Sequence, residues 1–299
     1  MKYKELRGLL LERRFSLPKS RPIHQTLSSF SIAEKVTFLC LTTLFIISGL
    51  SLLWRVSDAY LVEIPVRGGT LVEGVIGNPR FINPVLALSE ADKNLTSLVY
   101  SGLIRVTPEG EIENDLAREI IISENKLTYT AQLRGDAVFH DGEPVTADDI
   151  IFTVQKIIDP LIKSPRRGNW EGVTISKIDE MTVSFTLKKA YAPFIYNLSL
   201  GILPRHIWKN VSDDEFSFSQ FNTLPVGSGP YKVDVAERNS GGIPNYYKLV
   251  QFEDSTIQTP FIKNLVFRFY PNEEELIDAF NEGKIDSLSG ISPEKALDL

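Results

Sequence analysis

Apolar positions change their spacing along this chain, and each spacing predicts a different element. Between Lys35 and Arg55 runs VTFLCLTTLFIISGLSLLW, uncharged and broken only by Thr, Ser and one Gly. That is about the length a helix needs to cross a bilayer core. Further on, Leu127, Tyr129, Ala131 and Leu133 alternate with Thr128, Thr130 and Gln132, the period-two pattern of a strand with one buried face. Asp141-Gly142 then predicts a turn in which the glycine takes positive φ. Past it the period lengthens: Ile150, Ile151, Val154, Ile157 and Ile158 form one stripe of a helix capped by Thr146, with Asp149 reaching back and Pro160 as its stop.

The same reading predicts strands at 70–76, 103–106, 119–123, 182–187, 231–235 and 247–252, and one through Leu265, Phe267 and Phe269. Ser89 with Asp92 and Asn272 with Glu275 are caps for two further helices, and Ser292-Pro293 opens a last one. Short strands and helices mix without regular βαβ spacing, so the class is α+β rather than doubly wound.

Charge divides the chain. The first thirty-five residues hold eight Lys or Arg against three Glu, and the remainder holds 24 against 35, for a total of −6. An acidic body excludes a nucleic-acid partner, which clustered cations would bind. The basic tail flanking the apolar run puts residues 1–35 in the cytoplasm and the body outside, with a membrane helix at 36–56 and a linker at 57–67. An uncleaved anchor is expected; the rival is a signal peptide cut after Ala59. Cys40 is the sole cysteine, so no intrachain disulfide forms.

LR, four residues, then FHDGEPVTADDI is similar to a segment shared by the family 5 bacterial extracellular solute-binding proteins, the oligopeptide, dipeptide and nickel receptors of ABC importers. NPRFINP, LVYSGLIRV and the DLA of Asp115 to Ala117 before it, and LPRHIW, PVGSGPYKV and VFRFYPNEEELIDAFNEGKIDSL after it, fit in the right order. The resemblance runs from about Gly68 to the last residue. It implies a periplasmic-binding-protein-like fold of two lobes: lobe I over 68–266, with an inserted subdomain at about 100–200, and a crossing segment with the start of an incomplete lobe II over 267–299. It also implies a monomer that binds a peptide or other small solute, passes it to an ABC permease and needs no cofactor or metal. A membrane-anchored sensor or scaffold, or a receptor for a nickel chelate, haem or sugar, stays open on the same fold. An anchored hydrolase would need a nucleophile and base that no motif supplies, so no catalytic residue is named.

For the ligand, the resemblance implies two cleft-lining segments: Leu86, Ala87, Leu88, Ser89 and Glu90 after the first strand, and Leu288, Ser289 and Gly290 near the end. The first would offer backbone groups; the second lacks the side-chain amides common in relatives. His140 and Asp141 with Gly142 are read as turn residues, and Thr146 and Asp149 as a helix cap. Gly227, Gly229 and Pro230 are read as a loop where two backbones pass closely.

Overall fold

The computed structural model describes residues 30–60, 66–239, 244–256 and 259–296. Contacts divide the chain into a unit ending at Ile64 and one running from Pro65 to Leu299. The basic tail up to residue 29 and linker residues 61–65 lie outside the described residues.

In the first unit, α1 spans Ile32–Tyr60, so the helix continues through the start of the expected linker. Ser31 and Glu34 cap it reciprocally: the Ser31 N–H donates to Glu34 Oε2 at 2.8 Å and the Glu34 N–H to Ser31 Oγ at 3.4 Å. Thr37, Thr42 and Thr43 donate their hydroxyls to carbonyls one turn back, at 2.9, 2.7 and 2.9 Å. That leaves an outer surface of exposed Leu39, Leu44 and Phe45, suited to a solvent that cannot hydrogen-bond. Ile32–Ser57 is long and apolar enough to cross a membrane, with a mean hydropathy of 2.2.

The second unit is organised on a five-stranded sheet with the order β11-β1-β10-β9-β8. Its strands are β1 (Gly68–Ile76), β8 (Tyr231–Arg238), β9 (Pro244–Gln251), β10 (Ile262–Tyr270) and β11 (Ser287–Ser289). β1 runs parallel to both β10 and β11, while β9 runs antiparallel to β10 and β8. Four strands therefore end at one edge of the sheet. Residues 240–243, in the link between β8 and β9, lie outside the described residues.

The expected lobe boundary after residue 266 cuts through β10, one unbroken strand. Helix α6 (Glu273–Asn281), capped by Asn272 through a 2.9 Å bond from the Glu275 N–H, returns the chain to β11 beside β1. Leu276, Ala279 and Ile285 then pack with Val72, Ile76 and Leu288. The end of β10 and β11 thus lie in the same sheet as β1, with α6 between them packed on it. The reason is the right-handed return of a β–α–β unit, which sets its second strand parallel within the sheet it left.

A second sheet, β4 (Ala117–Ile122), β5 (Thr128–Leu133), β6 (Val173–Asp179) and β7 (Thr182–Leu187), has the order β4-β5-β7-β6 and falls within the expected inserted region. β6 escaped the sequence reading because it is an edge strand whose alternation fades into exposed Lys177 and Asp179. A short hairpin of β2 (Ile104–Val106) and β3 (Ile112–Asn114) precedes it. Of the helices, α2 (Glu90–Val99) packs near β8 and α3 (Ala147–Ile158) against β6 and β7, with two single turns, α4 (Arg167–Trp170) and α5 (Arg205–Trp208). One continuous core, including Leu95, Tyr129, Phe185 and Tyr247, joins both sheets.

Candidate functional site

The motif with the strongest sequence signature forms a clasp. Phe139 N–H donates to Glu143 O at 2.8 Å and Gly142 sits at φ +91°, closing the hairpin between β5 and α3. His140 then locks this hairpin to the 227–230 loop. Its N–H donates to Gly227 O at 2.8 Å, Nδ1 accepts the Gly227 N–H at 3.2 Å, and Nε2 lies 3.1 Å from Gly229 O. An accepting Nδ1 assigns the proton to Nε2, so the ring is neutral. Burial pushes the His140 pKa down to about 4, with Lys232 in the same direction and the Gly229 carbonyl and Asp141 opposing.

The glycines of the clasp are where chains touch. A Cβ on Gly227 would lie 2.0 Å from Val99 O, and one on Gly229 2.5 Å from Leu98 O. Pro230 O accepts the Phe252 N–H at 2.9 Å. Buried Asp149 has a similar joining role: Oδ2 accepts the Thr146 N–H at 2.9 Å and its hydroxyl at 2.7 Å, while Oδ1 accepts the Arg205 N–H at 2.7 Å. Asp141 Oδ2 lies 2.8 Å from His206 Nε2. These groups bind one another, leaving little for a ligand.

A ligand site is better sought where the strands end. In sheets of mainly parallel strands, the crevice lies beyond the carboxyl ends, where successive connections leave one strand in opposite directions. Here that strand is β1, flanked by β10 on one side and β11 on the other. At that edge a groove of about 720 Å³ is lined by Asn78, Arg80 and Phe81 after β1, Arg238 at the end of β8, and Phe218. Arg80 and Phe218 are exposed, Phe218 by 86%. Arg238 lies near the hydroxyl of buried Tyr247, which donates to Thr223 O at 3.1 Å. Burial raises the Tyr247 pKa, and Arg238 opposes the shift.

Buried Asp92 holds the groove's shape. Oδ1 accepts the N–H groups of Arg80 and Phe81 at 2.7 and 2.9 Å, and Oδ2 those of Leu88 and Ser89 at 3.3 and 3.1 Å. One carboxylate therefore cements both loops. Two guanidinium groups beside two aromatic faces can take an anionic group attached to an apolar body.

The segments expected to line a cleft are placed unevenly. Leu86 and Ala87 are buried in the core, and their N–H groups are taken by Asn83 O at 3.1 and 2.8 Å. With Leu88 and Ser89 bonded to Asp92, this loop has no backbone donor to spare at those four positions; only the side chains of Leu88, Ser89 and Glu90 face outward. Leu288 and Ser289 lie half-buried in β11, the edge strand, and Gly290 follows at φ +84°. Arg80, Phe81, Phe218 and Arg238 were missed as site residues. Arg80 stood in plain view within NPRF; Arg238 and Phe218 carry no local signature.

Comparisons with known proteins agree with this fold. A family model described as bacterial extracellular solute-binding proteins, family 5 Middle, matches residues 111–299. The chain is similar to the oligopeptide-binding protein AppA of Bacillus subtilis, 28% identical over 226 residues that cover 74% of this chain and 41% of that one. It is also similar to the nickel-binding periplasmic protein of Escherichia coli, 28% identical over 241 residues, 78% of this chain and 41% of that one. Among solved structures it resembles the ABC transporter substrate-binding protein CtaP of Listeria monocytogenes, with 33% identity, a TM-score of 0.67, and coverage of 78% and 46%. Bacillus subtilis AppA in complex with a nonapeptide gives 29% identity, a TM-score of 0.68, and coverage of 74% and 44%. The chain spans about two fifths of the length of these curated relatives.

Proposed function

Since this chain belongs to the bacterial extracellular solute-binding proteins of family 5, we propose that it is a membrane-tethered receptor that captures oligopeptides outside the cytoplasm and presents them to an ABC permease. Members of the family bind solutes and are not enzymes. The observation that carries the peptide reading is the shared fold of this chain and the nonapeptide-bound protein, together with a groove at the carboxyl edge of the sheet. An extended peptide offers what that groove can use: a backbone, a terminal carboxylate for a guanidinium and side chains for Phe81 and Phe218. Hinge closure between two lobes would bury it and signal the permease.

Native mass spectrometry of the full chain, purified in detergent from expressing cells, tests the ligand class. Retained peptides that exchange with an added nonapeptide are expected. Retention of a nickel chelate that no peptide displaces would overturn the reading.

The tether is part of the same proposal. α1 keeps the basic tail inside and the second unit outside, following the charge step across residues 36–54. Protease added to intact cells, or to spheroplasts where an outer membrane is present, should digest the body and spare a tag on the tail. Loss of that tag would reverse the topology, and a mature N-terminus at Tyr60 would replace the anchor by a cleaved signal.

A further inference from the structure

The groove beyond the sheet is cationic although the body around it is acidic. Past residue 35 the chain holds 24 Lys or Arg against 35 Asp or Glu, yet the described residues that line the groove include two arginines and no carboxylate. A smaller hollow of about 500 Å³ shares this wall: Arg80 and Arg238 line both, with Ser217 and Phe218, and again no Asp or Glu does. Residues 240–243 are Ser-Gly-Gly-Ile and carry no charge.

Neither guanidinium is spent inside the protein. Both side chains are exposed, and no ion pair among the described residues includes either one. Arg80 lies over the Phe81 ring, 5.4 Å from its centroid, a contact that orients the planar cation without neutralising it. Arg238 has the Tyr247 hydroxyl nearby, and burial raises the pKa of that hydroxyl, so it brings no negative charge. Buried Asp92 stands behind the wall, but its oxygens accept the N–H groups of Arg80, Phe81, Leu88 and Ser89, and it lies in the first turn of α2, where the helix dipole offsets its charge. Two cations left facing one hollow call for two negative charges. The terminal carboxylate of a peptide supplies one.

We infer that the groove selects peptides that end in an acidic residue, with the terminal carboxylate taken by one arginine and the side-chain carboxylate by the other. The inference rests on the peptide reading and adds the class of peptide. In a C-terminal Asp or Glu both carboxylates belong to one residue, so both can enter one hollow while the preceding residues lie toward Phe81 and Phe218. Ser217, on the same wall, can add a hydroxyl donor. A lysine in the last position would instead set a third cation against the pair.

Titration calorimetry of the full chain in detergent tests this with Ala-Ala-Ala-Glu, Ala-Ala-Ala-Gln, Ala-Ala-Ala-Lys and Ala-Ala-Ala-Glu amidated at its C-terminus. The glutamate peptide is expected to bind about three- to tenfold tighter than the glutamine and amidated peptides, which hold one carboxylate each, and the lysine peptide to bind weakest. Raising the salt to about 0.5 M should narrow the difference. Arg80→Gln and Arg238→Gln should each bring the ratio of glutamate to glutamine affinity near one. Arg80 is exposed, so its variant reports on the site even where that of Arg238, beside buried Tyr247, fails to fold. Equal affinity for the glutamate and glutamine peptides, or a ratio that survives Arg80→Gln, would overturn the acidic preference and leave the peptide reading standing. Binding of none of the peptides, or of free glutarate as tightly as the glutamate peptide, would remove the peptide reading beneath it.

Discussion

The His140 clasp and the groove at the carboxyl edge of the five-stranded sheet are built on opposite terms. In the clasp both ring nitrogens have backbone partners, the ring packs edge-on against Phe252 at 4.8 Å, and two glycines admit a neighbouring backbone. In the groove Arg80 and Phe218 stand in solvent, and the buried groups, Asp92 and Tyr247, serve to hold the walls. A strong motif here marks where chain segments must meet. The proposed recognition groove carries the weaker signature because a groove tolerates many side chains, whereas a contact between backbones tolerates few.

That contrast predicts the largest loss of stability at the clasp. Gly227→Ala sets a methyl 2.0 Å from Val99 O, a backbone atom that cannot turn aside, and should cost about 3 kcal/mol or more. Urea denaturation with an unchanged midpoint would mean that the two segments separate freely and that the clasp is loose.

Acid should open the clasp next. The His140 pKa is about 4 in the folded chain, against roughly 6.5 unfolded, so the unfolded state takes the proton first. The stability it contributes is whole above about pH 6.5 and is lost as pH falls through about 4, a change of about 3 kcal/mol. A His140→Asn variant should be weaker at pH 7 and lack this component of the slope between pH 7 and 4. Parallel pH profiles for the two proteins would show that His140 is not held neutral.

Gly142→Val is a milder break of the same region. Nothing lies within 4 Å of a Cβ there, so only the φ of +91° opposes the substitution, at about 1–3 kcal/mol. Thermal unfolding at the wild-type temperature would place Gly142 in ordinary backbone space.

The groove should answer in the reverse way. Arg80→Ala removes an exposed side chain, so stability should change by less than about 0.5 kcal/mol. Affinity for a carboxylate-bearing peptide should nevertheless fall by about three- to tenfold. Unchanged peptide affinity, read by titration, would move recognition away from this edge of the sheet.

Much of the chain was legible because its determinants are local. The apolar run of α1, the alternation of β5, the stripe of α3 and the caps at Ser89, Thr146 and Asn272 each depend on residues a few positions apart, and the structure has them, save that Ile158 at the end of the stripe is exposed. Gly142 follows from the same local logic, since a turn after Asp141 demands its φ. Where local pattern was faint, reading failed: β6 fades into exposed edge positions, and β3 has three exposed residues with no buried face to betray it.

Asp92 and Leu86 show what only the tertiary structure decided. From the sequence Asp92 is a cap, and it is one; that it also holds Arg80 and Phe81 depends on β1 ending beside α2. Leu86 belongs to a loop and so reads as exposed, yet Asn83, bonded to Asn222 across 139 positions at 2.8 Å, draws that loop inward. The sequence by itself determined the elements, the charge step and the family resemblance, because each is written in neighbouring residues. Which strands lie side by side, that residues 267–289 close onto β1, and that Arg80 and Arg238 share one groove were decided by packing, since burial and strand pairing join residues with no nearness along the chain.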